Sequence, residues 1–316
     1  MTTSVRLRLA LRVFAAVLSV LVTIALVQAI RRDGPAALEA WRGADVHWTW
    51  VTLSIVCVLA GQTALILGWR RLLADSGIPI GLSLTARLLL VSNFGRYLPA
   101  AKAWQMGIIG IIAAENNLPA GRIMASSLFH GLVGVVVGAI LLFATGGAVL
   151  GIHPGWLAVP IGGVACLLAA PAVLHSLPRW RNIIIGRLPS LESVTAGTMW
   201  ALAWSTAFAW VAWGIGLYSL AHGLLPQAGA PVAAYVAAWI GPFLAGVASV
   251  VAPAGLGVRD EVMRTMLVAS GANASGAIVV VLVARVWATA LEVVPAIVVL
   301  ALRQRQRHRG VAAGES

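Results

Sequence analysis

Charge is scarce in this chain. Of its 316 residues only 10% are Asp, Glu, Lys or Arg, against about a quarter in an ordinary soluble domain. Apolar residues make up 60%, and the mean hydropathy is +0.93. A soluble core of this size needs far more polar surface to cover it. No long polar stretch interrupts the chain, which leaves no room for a soluble catalytic domain of about 100 residues. Cysteine is nearly absent. Cys57 and Cys166 both sit in apolar runs, where a packing role is expected rather than a disulfide or metal pair. The six histidines show no HExxH or Cys/His spacing, so neither a metal nor another cofactor is expected. No Walker A or dinucleotide-binding loop is present.

What remains reads as membrane. Six apolar runs, roughly 13–30, 48–69, 123–150, 156–174, 195–221 and 275–302, reach or approach the roughly 20 residues a helix needs to cross a bilayer. The first follows Arg6, Arg8 and Arg12 and precedes Arg31 and Arg32. It is too long for the apolar region of a signal peptide and is read as an uncleaved span. The net charge of +12 fits basic loops facing the cytoplasm and its anionic lipids rather than nucleic acid. With the N-terminus inside, sixteen Lys/Arg fall on the cytoplasmic side and five outside. Both termini are therefore expected in the cytoplasm of a plasma-membrane protein. Residues 1–302 form a single membrane domain, and 303–316 a basic cytoplasmic tail.

Two stretches fit neither a span nor an ordinary loop. Residues 80–117 and 232–271 each read as an apolar arm, a Pro/Gly break with basic residues, and a short second arm. Irregular backbone at membrane depth is tolerated only where protein or a water-filled cavity satisfies it. A re-entrant hairpin of two half-helices meets that demand. The expected fold is thus an all-α polytopic membrane protein with six spans plus two re-entrant broken-helix hairpins. The alternative is eight spans, since 232–252 is itself long enough to cross.

A shift of 154 residues lays Pro99-Ala100-Ala101 on Pro253-Ala254-Gly255. The order span, span, broken hairpin, span then occurs twice, at about 10–150 and 156–302. Three spans separate the hairpins, so they enter from opposite faces. This is the inverted internal repeat of many transporters, whose broken helices meet near the midplane at a substrate site.

The first break gathers Asn93, Arg96, Tyr97, Pro99, Lys102 and Trp104. Pro99 breaks the helix. The free N–H groups at helix ends, with Arg96 and Lys102, make a cradle for a phosphate headgroup. The plainer reading is that both side chains snorkel to the interface. The second break packs Pro253, Gly255 and Gly257 before Arg259, Asp260 and Glu261. Its glycines suit a tight turn, and its carboxylates alternatively tie Arg259 down. Arg285 and Glu292 lie seven residues apart on one face of the last span. Charges there pair or face a cavity. Glu292 either carries a proton or, the simpler role, neutralises Arg259 or Arg285. His130, one turn into its span, reads as packing before proton relay. Trp200, Trp204, Trp210 and Trp213 read as packing before a lipid-facing groove.

These motifs resemble the lysylphosphatidylglycerol synthase transmembrane family, also called the flippase-like domain family. The likeness rests on Gly95-Arg96-Tyr97-Leu98-Pro99 with Lys102 and Trp104, and on Pro253-Ala254-Gly255-Leu256-Gly257-Val258-Arg259-Asp260-Glu261. It extends over about residues 10–300. The family pattern is close to YLPGK-x-W and PGGLGVRE. Ala100 and Ala254 stand where glycine is usual, Ala101 is extra, and Asp260 takes the place of a glutamate. His130 lies near the family's usual acidic position. The resemblance implies a membrane domain that binds or moves lipids. The soluble aminoacyl transferase of two-domain members is not expected here. The implied partners are an anionic phospholipid or a polyprenyl-phosphate-linked lipid, with envelope-biosynthesis enzymes as possible companions. The functional expectation is a lipid translocase and not an enzyme. A membrane-embedded enzyme on a lipid phosphate and a non-transporting scaffold are the alternatives.

Overall fold

The computed structural model describes residues 45–97, 101–147, 194–225, 230–248 and 258–314, with isolated positions Pro35, Glu39, Ala158, Ile161, Gly162 and Ala165. The described residues are helical, joined by turns. The expected span at 13–30 lies outside them, as does all of 156–174 but those isolated positions, and so do the breaks at Pro99 and at Pro253, Gly255 and Gly257.

The helices are α1 (Trp48–Asp75), α2 (Leu82–Ser92), α3 (Ala101–Ala114), α4 (Ala120–Gly146), α5 (Ala196–Leu224), α6 (Val232–Ala248), α7 (Val258–Ala269) and α8 (Ala274–Gly314). A short 3-10 turn, Asn93–Tyr97, follows α2 directly. Four of these helices are long and apolar enough to cross a membrane: α1, α4, α5 and Ala274–Ala301 of α8. The chain is an α-helical membrane protein. The other four have 11, 14, 17 and 12 residues. Over their described residues, at about 1.5 Å per residue, none reaches the roughly 30 Å of a hydrocarbon core. The order long, short, short, long therefore occurs twice. The α3–α4 and α7–α8 turns are also alike. Leu118 N–H donates to the Ala113 carbonyl at 3.0 Å, and Ala272 N–H to the Leu267 carbonyl at 3.0 Å. The residue before each has a positive φ, 53° at Asn117 and 99° at Gly271. This is the left-handed residue that closes a helix and lets the chain double back.

Packing fixes the helix directions. α1 and α5 run antiparallel along their whole length. His47 N–H donates to the Gly223 carbonyl at 2.8 Å at one end, and Trp213 Nε1 to the Val58 carbonyl at 3.2 Å in the middle. At the other end Asp75 accepts from Thr195 Oγ1 at 3.1 Å and from Thr198 Oγ1. Thr195 also caps α5 through Thr198 N–H, so one cluster ends α1 and starts α5. α8 runs parallel to α1: Gln62 Nε2 donates to the Leu291 carbonyl at 2.9 Å, and Ile66 packs with Ala296. α4 runs with α5. Trp69 of α1 reaches Ser126 at 3.1 Å, beside the place where Gly68 meets Leu202 and Ser205, while Trp210 reaches the Gly134 carbonyl at 3.0 Å. Thus α1 opposes α5, and α4 opposes α8.

The short helices cross between the two sets. Leu90 of α2 packs with Ala296 of α8, and Ala237 of α6 lies against Gly146 of α4. α2 and α3 lie side by side, with Arg87 Nη2 donating to Glu115 Oε2 at 2.7 Å across their open end. One buried cluster joins α1, α5, α6, α7 and α8, and a second joins α1 to α6. Leu59, Leu128, Trp204 and Val286 face outward, the position of lipid in a spanning bundle.

Candidate functional site: charged groups at mid-depth

Depth in the bundle is read from α1. Gln62 is the fifteenth of its 28 residues, and its amide is bound to the carbonyl of Leu291. Glu292, the next residue, therefore sits at the middle of the bundle. Its carboxylate is ion-paired with Arg96 of the 3-10 turn. That contact lifts the α2–α3 turn to mid-depth, while Arg87 and Glu115 hold the open end of the same pair of helices nearer one face.

Gly95 explains how the turn closes. A Cβ there would lie 2.5 Å from the Gln105 backbone nitrogen and 2.8 Å from the Trp104 carbonyl carbon. Only glycine lets the turn press onto α3. The same approach orders the polar side chains. Lys102 Nζ donates to Gln105 Oε1 at 2.9 Å, and Gln105 Nε2 donates to Asn93 Oδ1 at 3.3 Å. Lys102 Nζ also lies 3.4 Å from where a Cβ on Gly131 of α4 would be. Beside it His130 stacks on Trp69, the ring centroids 6.1 Å apart and the planes 4° apart. His130 is buried and serves as packing in this arrangement.

The second pair of short helices supplies the other side. Arg285 Nη1 donates to Asp260 Oδ2 at 2.6 Å. Seven residues separate Arg285 from Glu292, about 10 Å along one face of α8. The Arg259 guanidinium lies 5.6 Å from the centroid of the Phe243 ring, a cation–π distance, and its stem packs on Gly246. Phe243 in turn meets Trp210 at 4.9 Å. Glu261 turns to the exposed side of α7 and pairs with Arg264. Glu292 thus pairs with Arg96, Asp260 with Arg285, and Glu261 with Arg264.

Asn93 and Lys102 thus meet through Gln105, Arg96 meets Glu292, and Asp260 meets Arg285, while Arg259 lies on Phe243 of α6. Trp104 is half-buried on α3 and contributes its backbone to the Gly95 contact. Tyr97 ends the 3-10 turn. The pair-forming side chains are neither sealed in nor fully exposed: Arg96 is 34% exposed, Glu292 24%, Arg285 25% and Asp260 31%. Charge at this depth is costly unless it pairs or meets water or a polar ligand. No group of three or more His, Cys, Asp or Glu able to hold a metal occurs among the described residues.

Sequence patterning missed Gln105 and Gln62. Gln105 stands three residues after Lys102, the spacing of neighbours on one helical face. Gln62 is a lone amide in an apolar run. The tryptophans of α5 divide: Trp210 is buried, while Trp200 and Trp204 are exposed with Phe208 one turn further on.

No family model matches the chain, and a search among curated proteins finds no match.

Proposed function

We propose that this chain is a lipid translocase. An anionic headgroup enters between the two pairs of short helices while its tails stay in the bilayer, and Arg96, Lys102, Arg259 and Arg285 replace part of its lost hydration. The observation that carries this reading is the presence of two partly exposed ion pairs, Arg96–Glu292 and Asp260–Arg285, on one face of a spanning helix. A purely structural ion pair gains nothing from exposure, whereas a phosphate site needs access.

In this reading the two short-helix pairs are re-entrant hairpins from opposite faces, the chain has six spans, and its halves are an inverted repeat. The antiparallel runs of α1 against α5 and of α4 against α8 support it, because equivalent helices of an inverted repeat point in opposite directions. The α2–α8 and α6–α4 contacts support it too, each joining a first short helix of one half to the last long helix of the other. Exposure then alternates by rocking one half against the other. The chain lies in the plasma membrane with both termini in the cytoplasm, as the distribution of Lys and Arg indicates. The cargo is an anionic phospholipid or a polyprenyl-phosphate-linked lipid, as the resemblance to flippase-like domains also implies.

The test is a lipid census. The protein is purified in mild detergent beside an Arg259→Gln variant of equal thermal stability, and bound lipids are identified by mass spectrometry. A phosphate-bearing lipid enriched in the parent and lost from the variant is expected. The same bulk lipids in both would contradict the site.

A further inference from the structure

α8 carries a proline inside it, Pro295. Proline has no N–H to give, so the carbonyl four residues back, that of Leu291, loses its donor in the helix ladder. The ring also presses on that carbonyl and lets the helix bend there. The missing donor comes from another helix. Gln62 Nε2 of α1 donates to the Leu291 carbonyl at 2.9 Å. Gln62 is buried in the middle of α1, where an amide is costly unless it is bonded. Pro295 and Gln62 thus answer each other: one removes a donor from α8, and the other returns it.

α1 grips α8 on both sides of the proline. Gln62 and Ile66 stand one turn apart on α1. Gln62 holds Leu291, and Ile66 packs with Ala296, which is fully buried. Leu90 of α2, Phe94 of the 3-10 turn and Val299 of α8 pack in the same cluster. The stretch of α8 after Pro295 is therefore fixed to α2. The stretch before it is attached to α7, through Arg285 and Asp260. The joint at Pro295 falls between these two attachments. Glu292, next to the carbonyl that Gln62 holds, meets Arg96 of the turn that follows α2. The angle of the joint sets how those two side chains meet.

We propose that Gln62 is a positioning residue of the headgroup site, an inference that rests on the translocase reading. By serving the carbonyl that Pro295 leaves, it fixes the joint of α8 at the setting that brings Glu292 to Arg96.

The test is a cycle of Gln62→Leu, Pro295→Ala and the double variant in the full chain. Leucine is close to glutamine in size and has no donor. Melting in mild detergent is followed beside the movement of fluorescent phosphatidylglycerol across phosphatidylcholine liposomes. Gln62→Leu should lower the melting midpoint by about 2–4 °C and slow lipid movement by about tenfold, for one lost buried hydrogen bond. Pro295→Ala returns an N–H to the Leu291 carbonyl. It should melt at or above the parent's midpoint and still slow lipid movement, because the joint is gone. Adding Gln62→Leu to it should change neither readout further. A merely structural role for Gln62 would not separate stability from transport in this way. If Gln62→Leu does not fold, Pro295→Ala and the double variant, whose carbonyl is served within α8, decide. An equal loss of stability from Gln62→Leu in both backgrounds would overturn the link between Gln62 and Pro295. Lipid movement at the parent's rate in Pro295→Ala would overturn the positioning role and leave the translocase standing. No lipid movement in the wild type would overturn the translocase reading and the positioning role with it.

Discussion

Arg96, in a five-residue turn between two short helices, is ion-paired with Glu292 at the middle of the last long helix. Nearly two hundred residues of sequence separate them. The pair ties one half of the chain to the other at the depth where charge is least welcome. Each single change, Arg96→Gln or Glu292→Gln, leaves a charge there with its opposite removed, while the double change removes both. The double variant should therefore be more stable than the sum of the singles predicts, with a coupling of about 1–3 kcal/mol in thermal or denaturant unfolding in detergent. Additive losses would show that the contact contributes nothing.

Gly95 and Gly107 make a paired control on the same hairpin. Gly95→Ala drives a methyl into the backbone of Gln105, 2.5 Å away, and should cost about 1–3 kcal/mol and impair lipid binding. Gly107→Ala meets nothing within 4 Å and, in the middle of α3, should be neutral or stabilising by up to about 1 kcal/mol. Melting curves of the two variants decide it.

Two adjacent acids should behave differently. Asp260→Asn deprives Arg285 of its partner within the bundle and should lower both stability and anionic-lipid binding. Glu261→Gln weakens an exposed pair with Arg264 and a long contact from Thr265 Oγ1, and should change stability by less than about 0.5 kcal/mol. Equal effects would mean that the Asp260–Arg285 pair contributes no more than the exposed Glu261–Arg264 pair.

The contact between halves is open to cross-linking. A Cβ on Gly146 of α4 would lie 2.9 Å from that of Ala237 on α6, close enough for a disulfide after a small adjustment. Gly146→Cys with Ala237→Cys, in a chain lacking Cys57 and Cys166, should cross-link on mild oxidation and shift on a gel after proteolysis between the helices. Absence of the shift would contradict the α4–α6 contact.

Much of this fold is legible in the amino-acid sequence. Apolar length alone marks 48–69, 123–150, 195–221 and 275–302, and the helices found, 48–75, 120–146, 196–224 and 274–301, differ from these by a few residues. Their ends move because caps and turn residues, such as Thr195 and Asn117, set helix ends that hydropathy does not see. Pro and Gly among basic residues likewise mark the two broken stretches, whose breaks lie outside the described residues. Partners are what the linear pattern hides. Glu292 is nearest in sequence to Arg285, yet it pairs with Arg96, because helix directions and depth decide contacts between remote segments. Gln105 is invisible for a related reason. An amide on an apolar helix has little signature until the turn at Gly95 brings Asn93 to it, beside Lys102 on its own helix.

The most direct measurement follows two fluorescent lipids, phosphatidylglycerol and phosphatidylcholine, across liposomes that hold the purified chain. A membrane-impermeant reductant bleaches the outer leaflet. The account predicts that phosphatidylglycerol crosses at least about tenfold faster than phosphatidylcholine, and that Arg96→Gln, folded to the same extent, loses that preference. Equal rates for both lipids, or rates no greater than in protein-free liposomes, would contradict it.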